Sequence, residues 1–238
     1  MCGRFGLFVT PEVLEEYFAL AEPVGMALPA RYNLTPGQAV AAVREHDGRR
    51  RLDALTWGLV PFWAKDAAIG RRLINARLEG IGEKPAFREA WSRRRCLIPA
   101  SGFYEWAEAE RGGKRARKRP YFIAPAQEPL LALAGLWERW RTPAGDKLET
   151  CVIVTIDASP KLAAIHDRMP LLVPRGAHAT WLDPGTSPAD IAGLARDLPA
   201  LEIRRVGLKV NDPRNDDETL IAAIDDGGAG VTVSVEPG

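Results

Sequence analysis

Two pairs of strand-like runs, each joined by a short polar turn, constrain the fold of this chain more than any other feature. Residues 38–44 and 52–59 flank a turn at His46-Asp47-Gly48; residues 130–137 and 149–156 flank one at Thr142-Pro143-Ala144-Gly145-Asp146. The run at 149–156 is rich in β-branched residues, including Val152, Ile153 and Val154, which pack well on a pleated surface. Runs this close in sequence pair as antiparallel neighbours and need no crossover helix. Further strands are expected at 95–99, continuing through Ser101 to Trp106, and at 171–174 and 202–206. Helix signals are local and brief. Thr10-Pro11-Glu12 offers a hydroxyl cap, a proline at the first helical position and an early acid, so a helix is expected over 11–20. Others are expected over 84–91, from Ser159-Pro160, over 177–182, over 189–197 behind Ser187-Pro188, and over 216–224. The stretch 31–38 reads as a loop and 108–119 as a mobile hairpin tip. Neighbouring strands with scattered short helices define an α+β class. The expected architecture is one domain over residues 1–225 with mixed, mostly antiparallel, barrel-like sheets and short peripheral helices. A flexible tail is expected at 226–238.

Composition narrows the function classes. At 238 residues, 46% apolar and 26% charged, the chain can bury a sizeable single core. No apolar run reaches the roughly 20 residues that cross a membrane, and the start lacks a secretory pattern, so no membrane partner and a cytoplasmic location are expected. The three cysteines, Cys2, Cys96 and Cys151, form no CxxC pair, which points away from a disulfide framework and from a metal site. The net charge of +1 conceals an asymmetry: residues 71–119 carry 14 Lys/Arg against 6 Asp/Glu, whereas 201–238 carry 4 against 8. A basic middle in a neutral chain suits a polyanion, or else a solvated charged loop.

The chemistry starts at Met1-Cys2-Gly3-Arg4-Phe5-Gly6. Removal of Met1 would leave Cys2 with an amine and a thiol on adjacent carbons, with ordinary pKa values of about 7.7–8.0 and about 8.5. Such an aminothiol condenses with an aldehyde to an imine, and the sulfur then closes a thiazolidine. The alternative is that Cys2 is incidental, as second-position cysteines commonly are. Helpers are available. Glu105, between Tyr104 and Trp106, is either an acid/base group raised by apolar neighbours or a solvated strand glutamate. His166 is either a proton donor or a structural histidine. Asn75 is a polar group in an apolar segment and needs a hydrogen-bond partner. The run Trp57 to Trp63 is either core or, if exposed, a stacking surface for bases.

Eight short segments in order resemble the SRAP family (SOS response-associated peptidase, or abasic-site processing proteins). They are Met1 to Phe5, Tyr32 to Pro36, Trp57 to Pro61, Ile74 to Arg77, Arg95 to Pro99, Gly102 to Trp106, His166 to Pro170, and Val210-Asn211 followed by Arg214-Asn215-Asp216. The resemblance implies recognition of abasic sites in single-stranded DNA and a covalent link to them through Cys2. It also implies autocatalytic loss of Met1 and a lyase activity through the imine. It gives Asn75 the task of holding sugar and N-terminus in register, Glu105 proton transfer, and His166 acid/base work at a sugar hydroxyl. Arg4 and Arg77 would contact phosphates, with Arg168 as a further contact; Phe62 and Trp63 are candidates for stacking on a flanking base. No cofactor is implied, the DNA is the partner, and a monomer is expected, nucleoid-associated when bound. Two other functions fit the same residues: a cysteine peptidase using Cys2, His166 and Asn75 on other proteins, and a noncovalent single-strand binder.

Overall fold

The structure is a computed structural model describing residues 2–108 and 118–224. Among these residues twelve strands form two sheets: β1 Phe5–Leu7, β2 Arg31–Leu34, β3 Ala39–His46, β4 Arg49–Trp57, β5 Asn75–Arg77, β6 Arg95–Ala100, β7 Gly102–Ala107, β8 Arg119–Pro125, β9 Leu131–Arg141, β10 Lys147–Asp157, β11 Arg168–Pro170 and β12 Leu201–Arg205. Among the described residues, four α-helices lie outside them: α1 Pro11–Phe18, α2 Arg88–Arg93, α3 His178–Leu182 and α4 Pro188–Leu194. None of the described helices is long and apolar enough to cross a membrane.

β10 is the strand that joins the most partners, as its run of β-branched residues allows. One edge pairs in parallel with β4 at Thr150 and Cys151 and then with β5 at Ile153 to Thr155. The other pairs antiparallel with β9 and β11. Because β4 also pairs with β3, β3 with β6 and β6 with β9, the five strands β10-β4-β3-β6-β9 close on themselves. The α+β class and barrel-like sheet expected from the sequence are found. Closure gives each of those strands a paired neighbour on both sides, and Leu97, Ile98, Leu133, Leu136, Val152 and Ile153 are completely buried. The β3–β4 hairpin turns on Asp47 and Gly48, both with positive φ (50° and 71°). That is the two-residue geometry whose twist matches the strands.

The second sheet runs β12-β8-β7-β1-β2 and carries the N-terminus. Here sequence and structure part company. Residues 31–34, read as loop, form β2 because β1 pairs with them and Asp216, 183 positions from Asn33, accepts from the backbone of both Tyr32 and Asn33. Asp216 also pairs with the Arg31 guanidinium. The helix expected from Ser159-Pro160 is only a set of turns, bent because the chain must return within ten residues to pair β11 with β10. The strand expected at 171–174 lies at Arg168–Pro170 instead, leaving a single bridge between Leu172 and Leu133. The helix expected at 84–91 begins at Arg88, and that at 216–224 shrinks to one 3-10 turn, Glu218–Ile221, capped by the Asp217 side chain on Thr219 N. Most of the hairpin tip at 108–119 and the tail at 226–238 lie outside the described residues.

Candidate functional site

The two sheets meet at Cys2. β1 sits between β2 and β7, and Cys2, three residues ahead of β1, has no exposed surface. Its carbonyl accepts a 2.9 Å hydrogen bond from Asn75 Nδ2. Asn75 opens β5 on the opposite sheet, placed by its parallel pairing with Ile153. One side-chain bond therefore spans the sheets at the N-terminus. The other Asn75 atom, Oδ1, is buried and has no partner among the described residues: an acceptor free for a ligand.

Glu105 arrives from β7, whose register with β1 is set by Phe5 opposite Phe103 and by Tyr104 N donating to Arg4 O at 2.9 Å. At 3% exposure its carboxyl is pushed up to about 7 by burial, against the pull of the amino-terminal charge. The alternative of a solvated strand glutamate is thus excluded. The Cys2 thiol is pushed far above its usual value, first by burial and then by the Glu105 carboxylate, and stays protonated at neutral pH. His166 lies in the turns before β11. Burial, then the amino-terminal charge, lowers its pKa, so the ring is neutral near pH 7. Its Nδ1 accepts the Arg168 backbone N–H at 3.0 Å and also lies 2.8 Å from Asp167 Oδ1. A neutral ring can satisfy only one of these; accepting the Arg168 N–H at Nδ1 places the proton on Nε2. The Asp167 side chain is largely solvent-exposed and yields easily.

The other expected residues divide by environment. Arg77, at the end of β5, is exposed, as are Phe62 (56%) and Trp63 (49%). Arg4 is half-buried: its Nη1 donates to Asn33 Oδ1 at 2.7 Å and to Val210 O at 2.6 Å, and its guanidinium lies 5.7 Å from the Trp106 ring centre. Arg168 is buried. Its Nη1 and Nη2 bond to Glu79 at 3.1 and 2.9 Å, Nη2 to Thr155 O at 2.7 Å, and Nη1 also to Asp157. A phosphate reaches Arg168 only by displacing a carboxylate. Part of the basic middle is likewise spent internally. Arg94 pairs with Glu138 at 3.0 Å, and Arg95 packs against the Trp91 ring and donates to Asp183 O.

A family model described as SOS response associated peptidase (SRAP) matches residues 1–213. This chain belongs to the SRAP family. Among relatives, Bacillus subtilis YoqW, an "abasic site processing protein", is 38% identical over 226 residues, covering 93% of this chain and 99% of that protein. Escherichia coli YedK, with the same description, is 33% identical and covers 76% of this chain and 79% of its own length. A crystal structure of a Bacteroides thetaiotaomicron protein superposes with a TM-score of 0.81 at 26% identity, covering 94% of this chain and all of that one.

Reading the sequence for this SRAP chain missed three contributors to the site. Asn33 is fully buried, and its Nδ2 donates to Asp212 O at 3.1 Å and Asn215 O at 2.7 Å. Together with Arg4 and Asp216 it fastens the segment 210–216 over β2, which accounts for the Val210-Asn211 and Arg214-Asn215-Asp216 motif. Trp106 joins them through Nε1 to Asn211 Oδ1 at 2.7 Å. The signal was present in Tyr32-Asn33-Leu34, but nothing local shows what Asn33 binds. Lys118 pairs with Glu108 at 2.7 Å, and its charge lowers the pKa of both Glu105 and His166.

Proposed function

We propose that this SRAP chain recognises abasic sites in single-stranded DNA and links to them covalently through Cys2 once Met1 is gone. The observation that carries the reading is the Asn75 bond to the Cys2 carbonyl beside a buried Glu105 held near pH 7. The relatives' shared description as abasic site processing proteins supports it. An abasic deoxyribose opens to an aldehyde. The Cys2 amine adds to that carbon and expels water, giving an imine. The thiol then adds to the same carbon, forming the C–S bond, while its proton ends on the nitrogen. The sum is aldehyde plus aminothiol giving thiazolidine plus water, with no redox change.

Each step moves a proton. A carboxyl with a pKa near the working pH accepts and returns it efficiently, which is the role proposed for Glu105. Neutral His166 donates from Nε2 to the sugar oxygen as the ring opens. Asn75 fixes the Cys2 carbonyl, and its unpartnered Oδ1 accepts from the sugar or the freed amine. The same imine supports strand scission if a proton leaves the adjacent sugar carbon and the 3′-phosphate departs. Hydrolysis of the Met1–Cys2 bond by the same groups would supply the free aminothiol. On the DNA side, Arg77 and the Nη2 of Arg4 contact backbone phosphates, and Phe62 and Trp63 stack on a flanking base.

The test is a denaturing gel of the purified chain with single-stranded DNA bearing one abasic site. A denaturation-resistant band is expected from the wild type and none from Cys2→Ala. Cys2→Ser should give only a reducible imine. A durable adduct from Cys2→Ala or Cys2→Ser would sink the thiazolidine.

A further inference from the structure

The loop that lifts Phe62 and Trp63 to the surface is pinched at its base by two glycines. Gly58 follows β4 with φ +129°, and Gly70 lies in the 3-10 helix Ala67–Arg72. A Cβ placed on Gly70 would lie 2.6 Å from Gly58 O, and one on Gly58 would lie 2.8 Å from Gly70 O. Both obstacles are backbone carbonyls, not side chains that can swing aside. The two backbones therefore approach as only a glycine pair permits.

The pinch is continuous with the catalytic side. Gly58 N donates to Cys151 O, Leu59 N to Leu73 O and Val60 N to Thr150 Oγ1, at 2.9, 3.0 and 2.9 Å. Leu73 N returns to Gly70 O, and Trp57 Nε1 bonds to Ile74 O. The next residue is Asn75, bonded to Cys2. At the other end, Ala64 O accepts from Trp140 Nε1 at 2.7 Å. The stretch from Gly58 and Gly70 through Leu59 and Leu73 towards Asn75 is held by main-chain contacts alone, which no side-chain rotation can change.

We propose that the Gly58–Gly70 contact is a positioning device that sets this offset, so that a base stacked at Trp63 leaves the neighbouring sugar at Cys2. This rests on the function proposed above. Misplacement of a substrate by about 1 Å can cost about 100-fold in rate, so a rigid ruler between platform and nucleophile has a clear use. Gly70→Ala forces the two backbone segments of the pinch apart and shifts the tip while leaving every catalytic side chain unchanged.

The experiment compares wild type, Gly70→Ala and Trp63→Ala with two electrophiles: abasic single-stranded DNA, and 2-deoxyribose 5-phosphate alone. For Gly70→Ala the adduct rate with the small sugar should match wild type, while the rate constant on DNA falls about tenfold, the order of one lost stacking contact. Gly70→Ala/Trp63→Ala should be little slower on DNA than either single variant. A wild-type DNA rate in Gly70→Ala, with Trp63→Ala slow, overturns the inference alone. So does a parallel fall with the small sugar, which would mean damage at Cys2. Should Gly70→Ala not fold, one glycine inserted between Lys65 and Asp66 shifts the tip with the pinch intact; a wild-type DNA rate there also overturns it. A wild type that forms no adduct sinks the parent reading as well.

Discussion

The two halves of the proposed site sit in opposite surroundings. Cys2, Asn75 and Glu105 lie between the sheets, with Cys2 and Glu105 at 0% and 3% exposure. Phe62, Trp63 and Arg77 stand out in water. The difference separates two physical demands. A carboxyl reaches a pKa near 7 only by losing water, because desolvation penalises its charged form. Stacking and phosphate contact need surfaces that a long polymer can reach. A single environment could not serve both. The cations obey the same division: Arg168 and Arg95 are bonded inside and hold the frame, whereas Arg77 is exposed.

Several substitutions would break or sharpen this contrast. The largest effect short of removing Cys2 is expected from Glu105→Gln, with cross-linking slowed by at least about 100-fold and only the pH dependence of the Cys2 amine left. Binding to undamaged single strands should be unchanged. A rate within threefold of wild type would place proton transfer elsewhere. The same variant reports on stability. The Glu105 carboxyl is raised from 4.5 to about 7 by folding, so the folded state holds the proton more tightly. That contribution is complete below pH 4.5 and is lost as pH rises through 7. Relative to wild type, Glu105→Gln should therefore gain up to about 3 kcal/mol between pH 4.5 and 8, from a shift of about 2.5 units at 1.36 kcal/mol each. Equal denaturant midpoint differences at both pH values would contradict the burial argument.

Smaller effects are expected on the exposed side. Trp63→Ala should weaken single-strand binding about tenfold, as for one lost stack, measured by fluorescence titration on undamaged DNA. Arg77→Ala should be milder, with a few-fold loss of affinity and a salt slope shallower by about 0.7. An unchanged slope would mean that Arg77 touches no phosphate.

The hairpins were legible because their signals are local: turn residues between β-rich runs lead to β3–β4 and β9–β10 whatever surrounds them. Short elements were not. β1, β2, β5 and β11 have three or four residues each, too few for a period to show, and exist through partners elsewhere in the chain. Asp216 shaping β2 is the clearest case. For the site, the sequence nominated Cys2, Asn75, Glu105 and His166 through their motifs, yet the decisive quantities were absent from it. Whether Glu105 is solvated or buried depends on a neighbouring sheet, and no window of residues around it contains that sheet.

By itself, then, the sequence determined the α+β class, the two main hairpins, the family resemblance and the residue types the chemistry needs, because those follow from local propensity and ordered motifs. Only the tertiary structure decided that β10 would close a barrel and bring Asn75 to the Cys2 carbonyl. It alone decided that Arg168 is locked inside and Arg77 left outside. Burial and long-range pairing are properties of the packed whole: they set the dielectric, the pKa of Glu105 and the unpartnered acceptor of Asn75, and they arise only when segments distant in the chain meet.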